Sequence, residues 1–167
     1  DLLRLARAAN AMREARDYTD YIDAANFRRL PAEVAAVTAE GISSGKLKSS
    51  DTFVAEAQRE SQSRTAGLKA DLGALESDAK ASGASASLAV AAGDAYLNFD
   101  NGAKAAELYE LALTRPDVDR SLALTRLGIA QVKAGDYAAA QETLGKVQGQ
   151  RASIAKLWAA YAKQQAG

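Results

Sequence analysis

Apolar residues recur along this chain at the period of a helix, and neither Val nor Ile alternates with polar residues as a strand requires. Leu2, Leu3, Leu5, Ala6, Ala9 and Met12 form one helical series, and Tyr18, Tyr21, Ile22, Ala25 and Phe27 a second, with a break expected near Asp17. Pro31 suits the first turn of a third helix, where its missing N–H has no intrahelical acceptor to lose. Val34, Val37 and Ile42 share that helix's apolar face, and Gly41 and Gly45 stand near its end. Residues 46–50 read as a loop, with Ser50 the expected N-cap of a long helix beginning at Asp51. The apolar stripe of that helix opens with Phe53, Val54 and Ala57 and resumes at Leu68, Leu72, Leu75 and Ala79. From Gln58 to Arg64 the helix is polar on every side, the pattern of a segment that bridges packed regions through solvent. Ser82-Gly83 ends it.

A longer period follows residue 84. Gly93-Asp94-Ala95-Tyr96 aligns with Gly128-Ile129-Ala130-Gln131, setting Asn98 on Lys133, Ala105 on Ala140 and Tyr109 on Leu144, each pair thirty-five residues apart. Asp100-Asn101-Gly102 falls on Gly135-Asp136-Tyr137, turn residues between two apolar-periodic stretches. One unit is therefore helix, tight turn, helix. A glycine inside a helix costs about 1 kcal/mol against Ala, so Gly93 and Gly128 make sense if a second helix crosses them with no room for a side chain. Ala105 and Ala140 serve the second helices likewise, while Tyr96 with Tyr109, and Leu127 with Leu144, fill the space between the helices of a unit. Pro116, following Leu113-Thr114-Arg115, marks a helix end. Ile154, Leu157, Trp158 and Tyr161 form a last amphipathic helix.

These residues resemble the tetratricopeptide repeat (TPR) family. Leu127-Gly128, Gly135-Asp136-Tyr137, Ala140 and Leu144 carry the likeness in the second unit, and Gly93, Tyr96, Ala105, Tyr109, Ala112-Leu113 and Pro116 in the first. Ala92 before the first glycine, Gln131 where an aromatic is usual, and the lack of a proline near Gln150 depart from it. The resemblance implies an all-α, TPR-like α-solenoid of antiparallel helix pairs with a long connecting helix in the middle. Residues 1–49 would be N-terminal helices with a degenerate repeat, residues 50–83 the connecting helix, and residues 84–167 two repeat units plus a capping helix. Read with the repeats, the first 47 residues are similar to the C-terminal portion of functionally uncharacterised, usually exported, alphaproteobacterial repeat proteins. That similarity implies a bacterial, periplasmic product with its signal peptide removed, a cytoplasmic location being the alternative. The start at Asp1 without Met is read the same way, as a fragment or processed chain.

Composition agrees with helices: about a quarter of the chain is Ala, the strongest helix former, and there are two prolines. Lys plus Arg and Asp plus Glu balance at 21 each. Without a basic stripe there is no electrostatic footprint for a phosphate backbone, so no nucleic acid is expected as partner. No apolar run approaches the roughly 20 residues that span a bilayer. Cys and His are both absent, which removes thiol chemistry, the usual zinc ligands and the Ser-His-Asp triad together.

Three Ser-x-x-Lys pairs remain, Ser43/Lys46, Ser77/Lys80 and Ser153/Lys156, but that spacing is ordinary on a helix surface and no companion motif accompanies it. Gly41-Ile42-Ser43-Ser44-Gly45-Lys46 is one residue short of a phosphate loop, carries Leu47 where Ser or Thr is needed, and follows no strand. Helix termination explains it better. No enzyme, no metal and no cofactor is therefore expected. The resemblance instead implies a concave face lined by the first helix of each unit. Its partner-binding residues would be Val90, Asp94, Leu97 and Asn98, then Thr125, Arg126, Ile129 and Lys133, with Lys156 extending the line. Mixed apolar and charged side chains suit a peptide or extended protein segment. Val90 and Asp94 occupy places where chaperone-binding members carry a carboxylate clamp, so that activity is not implied. Two readings follow: a protein-interaction scaffold, or a structural, self-associating spacer of a larger protein. On either, Arg126, Lys133 and Asp94 are expected to be unneeded for packing between units, and Trp158 to be core or cap and not a ligand platform.

Overall fold

The computed structural model describes residues 1–167, and its regular structure is entirely helical: nine α-helices and one short 3₁₀ turn, with no strand. The helices are α1 (Leu2–Ala8), α2 (Ala15–Ala25), α3 (Pro31–Ser43), α4 (Thr52–Lys80), α5 (Ala86–Asn98), α6 (Gly102–Leu113), α7 (Arg120–Ala134), α8 (Tyr137–Gly145) and α9 (Ala152–Gln165). The chain forms two compact units, Asp1–Ala70 and Asp71–Gly167. The long helix expected at 50–83 is thus a single helix, α4, but the division between units falls within it. No helix is long and apolar enough to cross a membrane.

In the first unit α2 packs on α3. Tyr18, Tyr21, Ile22 and Ala25 of α2 meet Val34 and Val37 of α3, Leu47, and Val54 and Ala57 of α4 in one apolar cluster. The break between the first two helices lies at residues 9–14, earlier than expected, because Glu14 and Asp17 form a reciprocal capping box that starts α2 at Ala15. Pro31 opens α3 as expected. Its end is a backbone wrap: the amides of Lys46 and Leu47 both bond the Gly41 carbonyl, Gly45 takes φ +72°, and Leu47 folds back against Gly41. That geometry terminates a helix and holds no phosphate loop. The cap of α4 is Asp51, whose Oδ1 accepts from the amides of Phe53 and Val54, and so lies one residue beyond Ser50. The stretch from Gln58 to Arg64 is not wholly solvated either. Ser61 is fully buried, its hydroxyl bonded to the Gln58 carbonyl, so a small side chain with its polarity satisfied fits inside.

This unit also buries charge. Arg4 of α1 makes a two-pronged bond to Glu33 of α3, Nε to Oε1 at 2.8 Å and Nη2 to Oε2 at 2.6 Å, and the Tyr21 hydroxyl donates to the same carboxylate. Burial alone would push the Glu33 carboxyl up. The bonds and charge of Arg4 outweigh it and hold the group below the usual carboxylate range.

In the second unit each helix packs on the next, α5 on α6, α6 on α7, α7 on α8 and α8 on α9, with α7 also touching α9. The thirty-five-residue period is visible in the backbone. Asp100 and Gly135 take left-handed φ of +60° and +82° at equivalent turn positions. Asn101 and Asp136 follow them and cap α6 and α8 by accepting from the amides of Lys104 and Ala139. The Asn101 amide returns to the Tyr96 carbonyl, and the Asp136 amide to that of Gln131. The glycines repeat too. A Cβ on Gly93 would stand 2.7 Å from the Tyr109 ring, and one on Gly128 2.4 Å from Leu144. Tyr109 and Leu144 are the residues expected there, and both are buried. Tyr96 is only half buried, its hydroxyl bonding Glu76 of α4 at 2.7 Å. Trp158 is fully buried and meets Tyr161 edge to face, with ring centroids 6.0 Å apart.

Candidate functional site

The face expected to bind a partner lies on α5, α7 and α9, and the structure divides its nine residues. Leu97, Asn98, Thr125 and Ile129 are buried, between 0 and 4% exposed. Thr125 and Ile129 are covered because α7 meets α6, α8 and α9 and has nine of its fifteen residues enclosed, while Leu97 and Asn98 belong to α5, which packs on α6. Residues placed on an open concave line by repeat register are here enclosed by neighbouring helices. These four side chains are enclosed within the chain.

Five retain surface. Val90 is half buried against the Ala-rich cluster of α5 and α6, and Lys156 is exposed on α9. Asp94, Arg126 and Lys133 sit at intermediate exposure, and all three have partners within the chain. Asp94 Oδ1 accepts from the Tyr109 hydroxyl at 2.6 Å and from Arg126 Nη1 at 2.6 Å, so one carboxylate joins α5, α6 and α7. Lys133 Nζ lies 2.6 Å from Asp100 Oδ1, tying α7 to the turn before α6. The expectation that these charges take no part in packing is therefore corrected for Asp94 and Arg126, whereas Lys133 meets a turn carboxylate that is 73% exposed. The Asp94 carboxylate of α5 meets the Arg126 guanidinium of α7, and the pair cross-braces the helices.

A second polar cluster was not expected. Glu76, near the end of α4, accepts from Lys80 at 2.5 Å, Tyr96 at 2.7 Å and Lys104 at 3.3 Å. The bonds from Lys80 and then Tyr96, with Lys104 beyond them, bring its carboxyl down to about 2. Two of its partners come from α5 and α6, and only the spacing of four to the third, Lys80 of α4 itself, is a signal in the sequence.

The Ser43 hydroxyl donates to the Glu40 carbonyl, Lys80 is held by Glu76, and Ser153 and Lys156 are both exposed. No group of three or more Asp and Glu side chains gathers as a cation site would require. What α5 to α9 present at their surface includes two fixed charge pairs, Asp94/Arg126 and Lys133/Asp100. Comparison of the chain with models of known protein families, with curated proteins and with solved structures finds no significant match in any of the three.

Proposed function

We propose that residues 84–167 are a TPR-like helical array, and that the protein works as an interaction scaffold which takes a peptide or protein segment along the surface of α5, α7 and α9. The observation that carries this reading is the repetition at thirty-five residues of the whole device: left-handed turn residue, Asx cap, and glycine under the large side chain of the following helix. Stacked units of that kind have a surface that grows with repeat number and suits extended ligands. Val90, Asp94, Arg126, Lys133 and Lys156 are the residues with which such a segment would make contact. The structural, spacer reading gains from one fact, that Asp94, Arg126 and Lys133 already satisfy one another or Asp100 inside the chain.

The two readings part in a photo-crosslinking experiment. A crosslinking amino acid is placed at Lys133 or Val90, and as control at Glu142, which is exposed on α8. A scaffold gives one discrete adduct from the first two positions and none from the third, and the recovered partner binds the Lys133→Glu variant more weakly at matched ionic strength, since exposed charge contacts are salt-sensitive. Adducts only with a second copy of the chain, or equal labelling at all three positions, would make the surface a structural one.

A further inference from the structure

The first unit carries a cleft that the repeat-like array does not account for. Ile22, Phe27, Phe53 and Ala57 line it, with Asp23, Asn26 and Glu56 completing its walls, and it encloses about 100 Å³. That is well below the roughly 300–1,000 Å³ of a small-molecule pocket. It is room for one side chain. Phe53 is 41% exposed although it sits at the mouth of an apolar cluster, so a large ring is left half in water. The position is fixed by the fold: α2 supplies Ile22 and Asp23 and the first turns of α4 supply Phe53, Glu56 and Ala57.

Charge selects the occupant. The two ionisable groups of the cleft, Asp23 and Glu56, are both carboxylates, both exposed, and neither is engaged in an ion pair within the chain. They stand on different helices, so two negative charges flank one apolar opening. The Phe27 ring already accepts guanidinium groups, with Arg28 and Arg64 carbons 5.7 and 5.8 Å from its centroid. Arg64 is itself balanced by Glu60 at 3.6 Å. An acidic or purely apolar segment would leave Asp23 and Glu56 unmatched or repelled, whereas a cation beside an apolar anchor answers both features.

We propose that this cleft docks a segment of a partner protein in which one aliphatic side chain is flanked by Arg or Lys. The aliphatic group enters between Phe27 and Phe53, and the flanking cations meet Asp23 and Glu56. The site uses residues of the first unit alone and stands or falls independently of the surface on α5, α7 and α9.

The test uses the full chain and three labelled synthetic peptides in a Gly/Ser frame: Leu between two Arg, Ser between two Arg, and Leu between two Glu. Fluorescence anisotropy at low salt is expected to show binding of the first peptide, with the other two weaker by roughly tenfold or more, a difference of one decade in Kd. Phe53→Ser should weaken the first peptide by a similar factor. The double variant Asp23→Lys with Glu56→Lys should invert the preference, so that the Glu-flanked peptide becomes the better ligand. All three positions are exposed, so circular dichroism and melting of the variants should match the parent. Absence of binding by the Arg-flanked peptide up to about 1 mM, or a preference that the charge reversal leaves unchanged, would overturn the proposal. So would a sedimentation result in which the chain dimerises and Phe53→Ser dissociates the dimer, since the occupant would then be a second copy.

Discussion

The two units handle polar groups in opposite ways. Residues 1–70 contain the buried charged side chains of the chain, Arg4 at 7% and Glu33 at 6% exposure, matched to each other and to a tyrosine. Residues 71–167 enclose only neutral polar side chains and leave Asp94, Arg126 and Lys133 partly in solvent, while their cohesion comes from Gly and Ala letting helices approach closely. One unit depends on a specific chemical match and the other on a steric one. It follows that the first is most easily damaged by removing a group, and the second by adding one.

The largest effect expected from that contrast is on Glu33→Ala. It strands Arg4 as a buried, uncompensated charge, and breaking a buried pair in this way costs about 3–5 kcal/mol. The single Trp158 lies in the second unit, so its fluorescence reports that unit while far-ultraviolet circular dichroism reports both. In the variant the dichroism should fall at a lower denaturant concentration than the tryptophan signal. Coincident transitions shifted together would mean that the units unfold as one and that the contrast has no energetic meaning. Gly128→Leu comes next. Even its Cβ would stand 2.4 Å from Leu144, and overpacking of a close contact costs about 1–3 kcal/mol. Here the tryptophan transition should move. A parent-like melt would show that Leu144 swings aside freely and that the glycine is not a steric requirement.

The same contrast explains what was legible beforehand. Turn and glycine in the second unit are local or recur at a fixed spacing, so Asn101 and Asp136 declare themselves as turn residues and Gly93 and Gly128 as close contacts from sequence alone, while the capping by Asn101 and Asp136 emerges in the structure. Arg4 and Glu33 are twenty-nine residues apart with no period relating them, and the match between them exists only after α1 and α3 have met. Local signals were misread where two residues compete for one task. Ser50 and Asp51 are both good caps, and Asp17 is a break residue by type yet serves as the third residue of α2 in a capping box. The burial of Thr125 and Ile129 was hidden for another reason. Register says which residues share a helix face, but the number of neighbours that cover the face depends on how α8 and α9 return against α7.

A smaller effect should follow pH. Glu76 has its carboxyl lowered to about 2 by Lys80, Tyr96 and Lys104, from an ordinary 4.5 in the unfolded chain. A depressed carboxylate stabilises the fold fully above its unfolded value, and that contribution is lost as pH falls from 4.5 towards 2. Because the cluster is near the surface, screening keeps the gain modest. Glu33 is lowered as well and acts with the same sign. Acid titration of the tryptophan-monitored stability should therefore decline through that window in the parent and decline less in Glu76→Gln. Equal slopes would assign the acid sensitivity to other carboxylates.

The smallest effect expected separates the two charge pairs of the second unit. Arg126 and Asp94 are 17 and 32% exposed at the side chain, and their carboxylate also holds Tyr109, so Arg126→Ala should cost about 1 kcal/mol. Lys133 faces Asp100, which is 73% exposed and sits in a turn. A pair with one partner so largely in water contributes little, and Lys133→Ala should change stability by no more than about 0.5 kcal/mol in either direction. That makes Lys133 the residue at which a stability role and a binding role come apart most cleanly. Removing it should leave the fold intact, so a loss of affinity for a crosslinked partner would report contact and not unfolding. Titrations of that partner at low and raised salt against parent and Lys133→Ala make the measurement. If the variant loses stability as far as Arg126→Ala does, the pair with Asp100 braces α7 as the pair with Asp94 does, and the surface of α5, α7 and α9 is spent on holding the array together.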